Sequence, residues 1–186
     1  MKKIEFFKEG LKNLKTIGSV ARSSKYLCKE MIKHVNFETA DVIVELGAGD
    51  GVITKHILKA MKPDSILLSF EVNETFCNQL RQLDDKRLIV VEDSAEKIGE
   101  YLKKYNLPKT DYIISAIPFV VLPDELALKI VEECKIAMKK DGLFVQMHYS
   151  LITKKFYQKI FGNVDVNFVP INFPPAFVLV SQKKVS

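Results

Sequence analysis

The period of the apolar positions changes repeatedly along the chain, and each change predicts an element. Ile4, Phe7, Leu11 and Leu14 recur at helical spacing among lysines, so residues 2–15 read as a basic amphipathic helix, weakened by Gly10. Residues 16–23 connect it to a second helix, capped by Ser23 or Ser24 and running to about Val35, with Tyr26, Leu27, Met31 and Ile32 as its apolar face. From Val42 to Leu46 the apolar residues are continuous, as a strand buried on both faces requires. The run breaks at Gly47, Gly49 and Gly51, and helical spacing resumes at once through Val52, Ile53, Ile57, Leu58 and Met61.

The same alternation continues. Strands are expected at 65–70, 87–91, 111–116 and 143–149, with helices between them. Asn73 is placed to cap the helix carrying Phe76, Leu80 and Leu83, and Glu92-Asp93-Ser94 starts the next. Asp124 is read as the cap of a helix with Leu126, Ile130, Val131, Ala137 and Met138 inward, ended by Lys139-Lys140-Asp141-Gly142. A last helix over 151–161 precedes a terminal strand pair, 164–171 and 176–180, joined by Asn172-Phe173-Pro174-Pro175. Strands alternating with helices predict an α/β domain built on a parallel sheet. The loop Ile117 to Pro123 is unusually apolar and, lying beyond a central strand, reads as a substrate wall or as an internally packed turn.

Composition adds limits. With 186 residues, 47% of them hydrophobic, the chain is long enough for one substantial core. No apolar run approaches the roughly 20 residues of a membrane-spanning helix and the start lacks a signal-peptide core, so a cytosolic protein is expected. Three cysteines and three histidines are scattered, offering neither a disulfide framework nor a metal centre. The net charge of +5 is unevenly distributed: residues 1–36 hold nine Lys or Arg against three Glu. That divides the chain into an N-terminal basic helical segment, 1–36, and a domain, 37–186. The basic segment suits an anionic partner such as lipid head groups or a nucleic acid backbone, or is simply a solvated face.

Glycines at alternate positions, with Glu45 two residues before the first, do not match a dinucleotide fingerprint, whose third glycine comes three positions after the second. Glu45-x-Gly47-x-Gly49-x-Gly51 resembles motif I of the class I S-adenosylmethionine-dependent methyltransferases. The resemblance implies a Rossmann-like, mostly parallel seven-stranded sheet with helices on both faces and an antiparallel C-terminal strand. It also implies S-adenosylmethionine as cofactor and S-adenosylhomocysteine as product, without a metal. Glu71, at the end of the second strand, corresponds to the acid that accepts from ribose hydroxyls. Asp93, which otherwise reads as a helix cap, corresponds to the acid that accepts from the adenine amino group. Carried over residue by residue, the cofactor contacts are Glu45, Leu46, Gly47, Ala48, Gly49, Gly51, Glu71, Val72, Asp93, Ser94 and Ser115.

Two subfamilies compete for the acceptor. Ser115-Ala-Ile-Pro-Phe119 resembles the Asn-Leu-Pro-Tyr motif of the ribosomal RNA adenine dimethylases, but Ala116 stands at the Asn position and accepts no hydrogen bond from a base amino group. A helical C-terminal extension for gripping RNA is also not recognised. Four blocks resemble the bacterial phospholipid N-methyltransferases that methylate phosphatidylethanolamine: Gly18-Ser-Val-Ala-Arg-Ser-Ser24, Val44-Glu-Leu-Gly-Ala-Gly-Asp-Gly51, Ser115-Ala-Ile-Pro118 and Asn172-Phe-Pro-Pro-Ala176. That resemblance implies in-line attack of a neutral head-group amine on the cofactor methyl. Orientation is then the main source of rate, roughly 7 to 11 kcal/mol, at a membrane surface reached through the basic N-terminal helix. Tyr149, Phe119 and Ser115 are the candidate catalytic residues, the two aromatics facing the nitrogen or else serving the core. His148 reads as a proton acceptor or a structural residue. The alternatives are an RNA adenine or small-amine methyltransferase, and a cofactor-binding module that transfers nothing.

Overall fold

The computed structural model describes residues 23–183, so the basic helix expected over 2–15 lies outside the described residues. Helix α1 (Lys25–Ile32) is capped by Ser24, whose Oγ accepts from Leu27 N at 3.2 Å. It is followed by β1 (Val42–Leu46), α2 (Val52–Ala60), β2 (Ile66–Phe70), α3 (Glu74–Arg81), β3 (Leu88–Val91) and α4 (Ile98–Lys104). Next come β4 (Thr110–Ser115), α5 (Asp124–Ala137), β5 (Met138–His148), α6 (Lys154–Phe161), β6 (Asp165–Val169) and β7 (Ala176–Gln182). Asn73 caps α3 as expected, accepting from Thr75 N and Phe76 N.

The seven strands form one sheet in the order β3-β2-β1-β4-β5-β7-β6. The β1–β2, β2–β3, β1–β4 and β4–β5 pairs are parallel, whereas β7 runs antiparallel to both β5 and β6. β6 therefore points the same way as the first five strands. The chain builds outward from β1 through β2 and β3, then returns to lay β4 on β1's other side. Between β1 and β4 the strand order reverses, and such a switch point opens a crevice at the carboxyl edge.

β1 is buried along its whole length because each face meets a different core. Val42, Val44 and Leu46 join Leu68, Phe70, Ile113 and Phe144 under α4, α5 and α6. Ile43 joins Leu67, Ile114 and Val145 under α1 and α2. All three cysteines are buried and none is in a disulfide.

Several expected boundaries move. Lys139 to Gly142 do not terminate a helix. Met138 turns extended immediately after Ala137, is fully buried and pairs with Thr110, so β5 begins five residues earlier than expected. Lys139 fixes that turn through an ion pair to Asp111 at 2.7 Å, and Asp141 takes φ 62°. Asp124 lies in the first turn of α5 rather than at its cap, which is Pro123. The last helix starts at Lys154, leaving Leu151 and Ile152 outside it and exposed. The apolar loop after β4 is mostly internal: Ile117, Phe119 and Leu122 are buried in the core, while Val120 is exposed.

Candidate active site

The loop after β1 is shaped by backbone that bears no Cβ. Gly47 sits at φ 71°, and a Cβ there would lie 3.1 Å from Ile117 Cγ1 and 3.3 Å from Ile117 N, so only glycine lets the loops after β1 and β4 approach. Gly49, at φ 55°, is different: a Cβ built on it meets nothing within 4 Å. The loop is held by its neighbours. Gly47 N and Ala48 N donate to Phe70 O at 2.9 and 3.3 Å, and Gly51 N donates to Ala48 O at 3.0 Å.

Three carboxylates mark the ends of β1, β2 and β3, and each keeps acceptor capacity. Glu45 is 2% exposed, on the sheet face under α2. Its Oε2 accepts from Thr54 Oγ1 at 2.7 Å and Ser69 Oγ at 2.8 Å, whereas its buried Oε1 has no partner. Burial pushes this carboxyl up to about 7; the two hydroxyls pull it back and Glu71 adds to the rise. Glu71 Oε1 accepts from Val72 N and Asn73 N, both at 2.9 Å, and Oε2 accepts from Gly49 N at 2.8 Å. Asp93 Oδ1 accepts from Ser94 N at 2.7 Å, and Oδ2 from Lys97 Nζ at 2.8 Å and Tyr101 Oη at 2.9 Å. Burial works to raise Asp93, but Lys97, Ser94 N and Tyr101 together hold it below the usual carboxylate range. A carboxylate has about four acceptor positions. Two therefore remain on Glu45 Oε1, one on Glu71 Oε2 and one on Asp93 Oδ1.

That pattern fits S-adenosylmethionine, whose ammonium group, ribose hydroxyls and adenine amine are all donors. The orphaned oxygen of Glu45 and the open space beside Gly49 are where such a ligand would be held. Leu46 is fully buried in the core, Val72 is half-buried beside Glu71, and Ser94 is buried at the start of a short 3-10 turn, Ala95–Lys97.

Across the switch point the picture is mixed. Ser115 is fully buried and its Oγ accepts from Ile117 N at 3.3 Å. Ala116 N donates to Leu46 O at 2.9 Å, which brings Ala116 alongside Gly47. Phe119, a catalytic candidate read as facing the nitrogen or else serving the core, lies in the core with its ring edge-on to Tyr157, the centroids 6.2 Å apart, and so does not line the acceptor side. The 3-10 turn Phe119–Val121 directs it inward. His148 is also structural: its Nε2 lies 2.9 Å from Tyr157 Oη and 3.1 Å from Thr153 Oγ1, and burial lowers it to about 4, so it is neutral at pH 7. Tyr149 remains half-buried at the carboxyl end of β5. Burial raises its hydroxyl, and a hydrogen bond with Asn172 pulls it back.

Two residues that the sequence reading did not single out individually organise this half. Gln146, paired with Ser115 across β4 and β5, donates from Nε2 to Ile117 O at 3.0 Å and fixes the start of the apolar loop. Asn172, buried, accepts from Ser24 N at 2.9 Å and donates to Pro174 O at 2.7 Å, while Ser24 Oγ donates to Ile171 O at 2.8 Å. A polar residue inside an otherwise apolar strand was the available signal for Gln146. For Asn172 it was the Asn-Phe-Pro-Pro block. Among the described residues no group of three or more His, Cys, Asp or Glu could hold a metal ion.

Known proteins match this arrangement. The chain is 31% identical over 175 residues to an ornithine lipid N-methyltransferase of Singulisphaera acidiphila, covering 92% of this chain and 89% of that protein. It is 26% identical over 178 residues to the ribosomal RNA small subunit methyltransferase A of Thermotoga maritima, and 28% over 122 residues to that of Thermotoga petrophila. The first match covers 88% of this chain and 61% of that protein; the second covers 65% and 44%. Among solved structures, a precorrin-6y C5,15-methyltransferase of Geobacter metallireducens superposes with a TM-score of 0.68 at 16% identity, over 87% of this chain and 89% of that one. The O-methyltransferase TomG of Streptomyces achromogenes, in complex with S-adenosylmethionine, superposes at 0.66 and 12% identity, over 96% and 90%. These structures share the fold. The sequence profile of the ribosomal RNA adenine dimethylases matches residues 13–165, and the chain belongs to that family of S-adenosylmethionine-dependent methyltransferases.

Proposed function

We propose that this enzyme is an N-methyltransferase for the amine head group of a membrane lipid, phosphatidylethanolamine or its methylated derivatives. The observation that carries the reading is Ala116, which stands beside Gly47 at the switch point, where a base amino group would need a side-chain acceptor. Leaving that group unpaired costs about 1 to 3 kcal/mol. The likeness to a lipid N-methyltransferase over nearly that protein's full length supports the same choice, and ornithine and ethanolamine both present an amine to the methyl donor.

Bound S-adenosylmethionine supplies a methyl group on a sulfonium centre. The protein's part is to hold and orient. Gly49 leaves its flank of the loop clear, and Glu45, Glu71 and Asp93 take the ligand's donors. Tyr149 presents a ring at the acceptor side, where an aromatic face stabilises an ammonium by roughly 0.5 to 2 kcal/mol. No helix among the described residues is long and apolar enough to cross a membrane.

The test offers methyl-labelled S-adenosylmethionine with phosphatidylethanolamine vesicles, ornithine lipid vesicles, ribosomal RNA and a panel of small amines. Label in the phosphatidylethanolamine fraction is expected. Label in ribosomal RNA alone would replace this reading with base methylation, and label only in ornithine lipid would move the substrate to that lipid.

A further inference from the structure

The carboxyl edge of the sheet is divided in two. The β1, β2 and β3 ends carry the glycine loop and the three carboxylates. The loops after β4, β5 and β6 carry apolar side chains with no core to enter. Val120 follows β4 and is 55% exposed; Ile152 follows β5 and is 83% exposed; Ile171 and Phe173 follow β6 and are 60% and 89% exposed. Because β6 is parallel to β4 and β5, all these loops emerge on the cofactor side. Three strand spacings separate β4 from β6, so the tips span about 15 Å. Exposed apolar residues scattered singly need no explanation, but a row of them along one functional edge marks an interaction surface.

Charge names the partner. Lys154 and Lys155 open α6 directly after Ile152, both exposed, and Lys25 follows Ser24, which is bonded to Ile171. Between residues 142 and 164 there is no Asp or Glu at all. The tips after β5 and β6 are flanked by these lysines, whereas the exposed Asp124 and Glu125 follow Val120; apolar tips beside lysines match a bilayer whose acyl region lies beneath anionic head groups.

We propose that the loops after β5 and β6 insert Ile152, Ile171 and Phe173 into the surface of an anionic bilayer. The acceptor half of the site then faces the head groups. This rests on the lipid reading above for its purpose, but it concerns the described loops and not residues 1–15. A head-group amine can reach the crevice between β1 and β4 without its lipid leaving the membrane.

The experiment uses the full chain and a double variant, Ile152→Glu with Phe173→Glu, in flotation with vesicles of phosphatidylethanolamine and phosphatidylglycerol. Both positions are exposed, so folding is retained; a circular dichroism melt checks it. Binding should weaken about tenfold per replaced side chain, while Ile152→Leu binds as the parent does. Methylation should fall on vesicles and persist on a short-chain aminolipid dispersed below its micelle concentration. Unchanged flotation of the double variant overturns the proposal, as does an equal activity loss on vesicles and dispersed lipid. A change in oligomeric mass by light scattering with unchanged flotation also overturns it, and assigns the surface to a second copy. If the parent methylates no lipid at all, the functional reading fails, and flotation still decides the surface.

Discussion

Replacing Glu45 with Gln should stabilise the unliganded protein and weaken its hold on the cofactor. In the folded chain this carboxyl titrates near 7, against 4.5 when unfolded, because burial penalises its charge. A raised acid binds more protons folded than unfolded between those values, so its contribution to stability falls as pH rises. The penalty is absent below about pH 4.5, grows towards pH 7 and is complete above it. At 1.36 kcal/mol per pKa unit it amounts to about 3 kcal/mol. Glutamine keeps one oxygen for Thr54 and Ser69 and never ionises. The melting temperature of the variant should match the parent near pH 5 and exceed it by roughly 6 to 12 °C at pH 8.

Comparing the two proteins at each pH removes His148, whose effect has the opposite sign. Its folded value near 4 lies below the ordinary 6.5, so its penalty appears as pH falls from 6.5 to 4. Calorimetric titration should show the variant binding S-adenosylmethionine about 10- to 100-fold more weakly, the worth of a hydrogen bond to a charged partner. A melting difference that is flat from pH 5 to 8, or that favours the parent at pH 8, refutes the reasoning about burial. Unchanged affinity removes Glu45 from the cofactor site.

The remaining expectations are simpler. Gly49→Val combines a left-handed backbone, costing a β-branched residue about 1 to 3 kcal/mol, with a side chain directed into the open cradle; calorimetry should detect no S-adenosylmethionine binding, and parental affinity would contradict the placement. Tyr149→Phe should keep more methyltransferase activity than Tyr149→Ala, because the ring survives; equal losses in a rate assay would assign the role to the hydroxyl and its bond with Asn172. Removing residues 1–15, with their excess of lysine, should lower co-sedimentation with anionic liposomes while cofactor affinity by calorimetry is unchanged; equal sedimentation would show that the segment has no part in membrane binding.

How much was legible in the sequence depended on the kind of force involved. β1 was readable to the residue because a strand buried on both faces has a continuous apolar run and a glycine stop. The spacing of the three acids was readable because Glu71 and Asp93 each follow a strand end and Glu45 precedes the glycine stop by two residues. What spacing could not convey was how each oxygen is already engaged, such as Asp93 by Lys97 and Tyr101. The Met138 boundary was hidden because Lys139-Lys140-Asp141-Gly142 carries the usual marks of a helix end, and only the long-range pair with Asp111 shows that the strand has begun. Phe119 stayed open for a related reason: an apolar run between strands looks the same whether it lines a wall or fills a core, and the 3-10 turn decided it. Ile152 and Ile171 were assigned to elements that stop short of them, and Phe173 to the connection after β6.

The bonds from Ser24 to Asn172 and Ile171 span 148 and 147 residues. During synthesis they cannot form until residues 171 and 172 have left the ribosome, so α1 waits for them before it is fastened. The cofactor half, made of strands and turns within residues 42–94, has its parts in hand long before. The two sides of the crevice therefore mature in sequence, and the one that α1 and the segment after β6 fasten follows the one that carries the glycine loop.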